Sequence, residues 1–152
     1  MQQVQVKRGD PKSPQATALL SASHALMQDL FDPEENHYLE VDELCVPSIH
    51  FFLASRDGQT IGCVALANKG AYGEIKSMFV DPDARGLGVA HRLMSAIQQD
   101  ARAQGLTSVK LETGDKLKSA VALYKAHGFE VCDAFGDYEA NTTSLFMSKR
   151  LD

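Results

Sequence analysis

The sequence predicts an α/β (α+β) domain: a mixed, mostly antiparallel sheet with helices on its faces and one central β-α-β unit. Three observations carry this. Strand-like segments at 49–55, 60–68 and 73–80 follow one another through short turns, so they pair antiparallel. Residues 73–113 then read strand, helix, strand, which implies a parallel crossover. Two further stretches, 14–30 and 116–126, carry apolar residues at helical spacing.

Taken in order, Val4–Arg8 alternates like a short strand, and the turn Gly9–Ser13 ends in a helix cap ahead of Pro14. The helix over 14–30 presents Leu19, Leu20, Ser23, Leu26, Met27 and Leu30 on one face. From Phe31 to Pro47 the period is lost and acidic residues accumulate around His37, Tyr38 and Leu39, which predicts a loop with one short helical turn. Its acids read as a solvated charged surface, and the net acidity of the chain suits a cationic substrate. Asp57-Gly58 supplies the positive φ angles of a tight hairpin between the next two strands, and Lys69-Gly70 turns the chain into the third. Asp81-Pro82-Asp83 stops that strand near Val80, because Pro82 lacks a backbone donor and restricts the residue before it.

From Val89 onward the apolar stripe Val89, Leu93, Ile97, Ala101 predicts a helix that begins near Gly88 and stops at Gly105. A strand follows over 107–113. The helix over 116–126 carries Leu117, Ala120, Val121 and Tyr124 on one face and is stopped by Gly128. A short strand at 129–132, a polar loop at 133–143 and a closing strand at 144–148 complete the chain.

A chain of 152 residues fits a single domain over 1–152, large enough to bury a core without metal or disulfides. Its 44% apolar and 23% charged residues are those of a globular protein. No window holds the roughly eighteen uninterrupted apolar residues of a membrane span, and the polar start lacks the apolar core of a signal peptide, so a cytoplasmic location is expected. The net charge of −5 argues against sequence-independent nucleic-acid binding. Cys45, Cys63 and Cys132 are widely spaced and odd in number, which suggests buried thiols rather than a zinc site or a disulfide framework. None has a histidine beside it in sequence to support an acyl-cysteine route.

The chemistry is expected between the strand at 73–80 and the helix after it. There the chain reads Arg85-Gly86-Leu87-Gly88-Val89-Ala90. A helix start offers unpaired N–H groups and the positive end of the macrodipole, and two glycines let a ligand approach the backbone, so the segment is an anion seat suited to phosphate oxygens. The dinucleotide fingerprint fails, since His91 stands where its third glycine should be, and no Gly-Lys-Ser/Thr of the Walker pattern occurs. What remains, Arg-x-x-Gly-x-Ala, resembles the pyrophosphate-binding signature Gln/Arg-x-x-Gly-x-Gly/Ala of the GNAT superfamily of N-acetyltransferases. The later run Ala120-Val-Ala-Leu-Tyr124-Lys-Ala-His-Gly128-Phe129 resembles the Ala-Ile-x-Leu-Tyr-x-x-x-Gly-Phe element of the same superfamily, and the likeness spans about 70 to 132.

The resemblance implies acetyl-CoA as acyl donor, a primary amine on a small molecule or peptide as acceptor, direct attack in a ternary complex, and no metal. It implies that the pyrophosphate meets the backbone of Arg85, Gly86, Leu87, Gly88, Val89 and Ala90, while the pantetheine arm lies along Met78, Phe79 and Val80. A backbone N–H there would polarise the thioester carbonyl. An amine with an ordinary pKa near 10.4 is protonated at neutral pH and needs a base or a proton-accepting water chain. Glu74 stands eleven residues before Arg85, the separation at which histone-acetylating members carry theirs. The other reading of Glu74 is an exposed strand-end carboxylate paired with Lys76. Tyr124 matches the tyrosine that reaches the cofactor's sulfur, and a phenol stays protonated at pH 7 and so can serve as general acid to the thiolate. Leu117 departs from the pattern, since many members carry an Asn there that bonds the pantetheine arm; Lys116, Lys118 or Ser119 are its candidate replacements. Two alternatives stay open: a non-catalytic acyl-CoA-binding regulatory module, and a transferase acting on a protein Lys or N-terminus. A homodimer is common among members of the superfamily.

Overall fold

The computed structural model describes residues 4–32 and 39–151. Their architecture is one seven-stranded sheet with helices on both faces. Strands β1 (Gln5–Arg8), β2 (Ile49–Arg56), β3 (Gln59–Asn68) and β4 (Gly73–Val80) pair antiparallel in sequence order. β4 then pairs parallel with β5 (Ser108–Gly114) through the crossover helix α3 (Val89–Ala103). The closing strand β7 (Ser144–Arg150) inserts between β5 and the short edge strand β6 (Glu130–Cys132), giving the order β1-β2-β3-β4-β5-β7-β6. Sequence spacing predicts each of these strands, but not that insertion.

Helix α1 (Pro14–Leu30) begins as expected, with the Ser13 side chain accepting from the Ala16 N–H and Pro14 at its first position. The one helical turn expected in the acidic segment is α2 (Val41–Leu44), closed by a reciprocal capping box between Glu40 and Glu43. The part of that acidic segment at 33–38, with His37 and Tyr38, lies outside the described residues. Helix α4 (Lys118–Ala126) is two residues shorter at its start than the periodicity suggests, with Leu117 as its N-cap.

Each face of the sheet buries its own cluster. On one, Leu93, Met94 and Ile97 of α3 are fully buried against Val64, Leu66 and Ile75, together with Tyr124 of α4. On the other, Leu19 and Leu20 of α1 pack on Phe51, Cys63, Ala65 and Phe79. β4 supplies both clusters, and it changes phase in doing so. Ile75 faces the α3 side, yet so do Met78 and Val80, while Phe79 faces α1. Strict alternation would put Ile75 and Phe79 on one face. The phase change is a β-bulge: the register with β3 shifts between Cys63 and Ala65, where Ser77 takes a positive φ of 56°.

Candidate active site

The bulge opens the sheet. Pairing of β4 with β5 ends at Ile75 and Leu111, so beyond that point the β5-facing edge of β4 has no strand against it. A cleft of about 960 Å³ lies there, with Met78, Phe79 and Val80 in its wall, α1 on one side through Leu26 and Met27, and α4 on the other through Ala120 and Leu123. At its end, Pro82–Ala84 makes a 3-10 turn that leads into Arg85. Gly86 and Gly88 then adopt positive φ values of 86° and 76°, with open space where a side chain would stand. The first bond of α3 runs from the Arg92 N–H to the Gly88 carbonyl, and Gly88 provides no side-chain cap. The N–H groups of Val89, Ala90 and His91 therefore start the helix without intrahelical partners. These features fit the phosphate-bearing arm of a coenzyme: an open strand edge, a glycine turn and an uncapped helix start in one cleft.

A second pocket, of about 690 Å³, lies on the other side of the bulge along β4. Glu74 and Lys76 form part of its wall, faced by Tyr72, by Lys69 and by Asp137–Asn141 of the loop before β7. Glu74 is 3% exposed. Its Oε2 accepts from the Tyr138 hydroxyl at 2.5 Å and lies 3.3 Å from Lys76 Nζ, which itself donates to the Tyr138 oxygen at 2.5 Å. Oε1 has no bonding partner among the described residues. The Tyr138 phenol is held well above its ordinary range, by burial first, then by its hydrogen bond to Glu74 and by the nearby carboxylates. Phe135 fixes the loop from below, edge-on to both Tyr72 and Tyr138 with ring centroids 5.4 and 5.3 Å away.

The acetyltransferase (GNAT) family model matches residues 19–129, which covers both the open strand and the glycine turn. The chain belongs to the GNAT acetyltransferase family. A relative from Azospirillum brasilense named IAA acetyltransferase is 39% identical over 99% of this chain and 100% of its own. A solved structure from Klebsiella pneumoniae, named for acyl-CoA N-acyl transfer, superposes with a TM-score of 0.83 at 27% identity over 98% of both chains. A GNAT structure from Elizabethkingia anophelis with acetyl-CoA bound shares the fold, with a TM-score of 0.72 at 18% identity over 97% of this chain and 98% of that one. The chain is accordingly an acetyl-CoA-dependent N-acetyltransferase.

Within this GNAT frame the sequence-predicted residues separate into groups. Met78, Phe79, Val80, Arg85, Gly86, Gly88, Val89 and Ala90 line the cleft at the open edge of β4. Leu87 is 45% exposed and its side chain takes no part in that lining. Tyr124 is 5% exposed and belongs to the core, with its ring 6.0 Å from that of Phe129, behind the wall that Ala120 and Leu123 present to the cleft. Burial alone raises its phenol pKa, so the proton stays on oxygen. Glu74 is paired with Lys76, as one sequence reading has it, but buried rather than exposed.

Leu117 lines the cleft, where the family Asn would stand, beside Lys116, Lys118 and Ser119. Lys116 Nζ donates to the Leu30 carbonyl at the end of α1 at 2.8 Å and sits 5.4 Å over the Phe31 ring. It thereby ties α1 to the start of α4 across the cleft. Burial pushes the Cys63 thiol up to about 12, which leaves no thiolate for an acyl-enzyme route, while Cys45 is exposed and Cys132 half-buried, against the expectation of three buried thiols.

Sequence reasoning missed Tyr138 and Ser77. Tyr138 sits in a loop with no period, and nothing local ties it to a carboxylate 64 positions earlier. Ser77 interrupts a run that reads as an ordinary strand, in which Ile75 and Phe79 are in phase, so the residue spacing does not mark the bulge. Among the described residues no cluster of three or more metal-ligating side chains occurs, and no helix is long and apolar enough to cross a membrane.

Proposed function

We propose that this N-acetyltransferase moves the acetyl group of acetyl-CoA to the primary amine of a small molecule held in the pocket beside Glu74, by direct attack in a ternary complex. The observation that carries the reading is the meeting of two clefts on one strand. Residues 78–80 serve the donor and Glu74 and Lys76 serve the acceptor, with the Ser77 bulge between the two sets along β4. Acetyl-CoA supplies the activated acetyl group and its thiol leaving group.

Glu74 Oε1 receives the proton that the amine must lose, directly or through one water, while Tyr138 and Lys76 hold Oε2 and fix the carboxylate. A backbone N–H on the open edge of β4 donates to the carbonyl oxygen as charge develops there. Tyr124 donates to the departing thiolate, a role that requires its hydroxyl to reach the cleft between Ala120 and Leu123. A C–N bond forms as the C–S bond breaks, with the amine's proton on Glu74 and the phenol's on sulfur. Acidic side chains at Glu74, Asp137 and Glu139 support a cationic acceptor, and Lys69 and Lys76 support an acceptor that also bears polar or anionic groups.

The test is acetyl-CoA-dependent thiol release against a panel of small amines, amino acids, polyamines, peptides and IAA, the last chosen for the name of the Azospirillum relative. Calorimetric binding of acetyl-CoA is run on the same sample. Turnover with a small amine is the expected result. Turnover with peptides alone would move the acceptor to proteins, and tight binding with no turnover across the panel would defeat the proposed roles of Glu74 and Tyr124.

A further inference from the structure

Four side chains from three elements form a hydrogen-bond chain that ends at the cofactor cleft. Lys149 Nζ on β7 donates to Gln98 Oε1 at 2.6 Å. Gln98 Nε2, on α3, lies 3.3 Å from the Met94 carbonyl and 3.3 Å from His127 Nδ1. His127, the C-cap of α4, places Nε2 2.9 Å from Nδ1 of His91, and His91 lines the cleft one residue past the glycine seat. Gln98 is 5% exposed, so its amide is fixed by these partners rather than by water.

The chain has a direction. An ammonium only donates, so the Gln98 atom facing Lys149 is the carbonyl oxygen, and the Met94 carbonyl independently demands the amide NH₂ at the other end. His127 Nδ1 therefore accepts from that NH₂ and carries no proton. The proton of a neutral His127 is on Nε2 and is donated to His91 Nδ1, which is bare in turn. His91 is left with its proton on Nε2, the ring atom that the chain does not use. Burial first, then the neighbouring His91 ring on α3 and the Lys149 ammonium on β7, keep His127 below its ordinary pKa and so in the neutral form that this order needs.

We propose that His91 is a binding residue of the cofactor cleft, locked by the Lys149–Gln98–His127 chain as the neutral Nε2–H tautomer so that it donates to a phosphate oxygen of the bound coenzyme. A phosphate oxygen only accepts, so a bare nitrogen at this position would repel it. This inference rests on the acyl-CoA reading of the cleft. His91 and Gln98 contact or support the coenzyme through hydrogen bonds alone, and no bond is made or broken.

Two measurements test it on the intact enzyme. Long-range ¹H–¹⁵N NMR at pH 7.5 reads the tautomers directly, and both His91 and His127 are expected with Nε2 protonated and Nδ1 bare. Calorimetry with CoA should find His91→Ala about tenfold weaker, the loss expected for a charge-assisted hydrogen bond. Because His91 is on the surface, that variant folds. Gln98→Glu should reverse the chain, since a carboxylate accepts from both Lys149 and His127 Nδ1. His91 then shows a bare Nε2, and CoA binding at pH 8 falls as in His91→Ala.

Dephospho-CoA distinguishes the two phosphate sources. A retained penalty in His91→Ala assigns the pyrophosphate, and a vanished one the 3′-phosphate; either supports the proposal. An Nδ1–H tautomer at His91 in the wild type, or unchanged CoA affinity in His91→Ala, would overturn it. Absence of CoA binding to the wild type would remove the acyl-CoA reading and this proposal together, and would do so without altering the tautomer result.

Discussion

The Tyr138 hydroxyl donates to Glu74 Oε2 at 2.5 Å, bringing a loop residue against a strand carboxylate 64 positions away. Lys76 closes the triangle by contacting both. Tyr138→Phe leaves Glu74 with the Lys76 contact alone and frees it to rotate. A hydrogen bond to a charged group contributes about 1.5–3 kcal/mol, so kcat/KM for the acceptor should fall about 10- to 100-fold. Acetyl-CoA affinity, measured by calorimetry, should not change.

Glu74→Gln keeps the shape of the side chain and its bond to Tyr138 but cannot take a proton. The expected loss in kcat is about 10²- to 10⁴-fold, the range for a general base, with acetyl-CoA binding retained. Steady-state assays on the best acceptor of the panel give the answer, and kcat within threefold of wild type would remove Glu74 from that role.

Tyr124→Phe separates an acid from a core residue. The ring stays in its place beside Phe129, so stability should change by less than about 1 kcal/mol, as for other shape-conserving core changes. Turnover should fall while the coenzyme still binds. Unchanged turnover would mean that the cleft obtains its proton elsewhere, in keeping with the core position of Tyr124.

Gly88→Ala puts a Cβ on a residue with φ of 76°, at a cost of about 1–2 kcal/mol for the left-handed conformation. No atom lies within 4 Å of that added Cβ, so the cost is backbone strain and not a clash. Relaxation of the strain moves the start of α3, and the variant should lose both thermal stability and CoA affinity. Thermal unfolding with and without CoA measures the two effects.

The pH dependence of stability has a definite sign. His127 titrates below its ordinary 6.5 in the folded protein and returns to that value on unfolding. Between the two values the unfolded chain binds more protons, so stability is fully present above about pH 7 and falls as pH drops through the native pKa. Tm measured from pH 7.5 to 5.5 should fall less steeply in His127→Gln than in the wild type.

Periodicity and turn chemistry made most of this fold legible from the residues alone. The stripe Val89, Leu93, Ile97, Ala101 is buried along α3, and Asp57-Gly58 turns the hairpin with φ of 54° and 76°. These signals are local, each fixed by neighbours within four positions. The glycine seat was legible for the same reason. The rest depends on contacts between distant residues. Insertion of β7 between β5 and β6 reflects which edges remain open once the crossover has formed, and the Tyr138–Glu74–Lys76 triangle depends on how a loop returns to β4. For Tyr124, helical spacing indicated an apolar face and the family element indicated the sulfur; the described position agrees with the first.

The phase change at Ser77 divides β4 into two short strands that line different pockets. On the proposed reading, side chains at 74 and 76 face the amine to be modified, whereas 78 to 80 face the acetyl donor. Substitutions before the bulge can therefore retune acceptor choice while the donor half keeps its backbone and its partners. A one-residue deletion at the bulge would instead turn Glu74 and Lys76 to the opposite face and remove the acceptor site in a single step. The strand is thus free to diversify by substitution and closed to change in length.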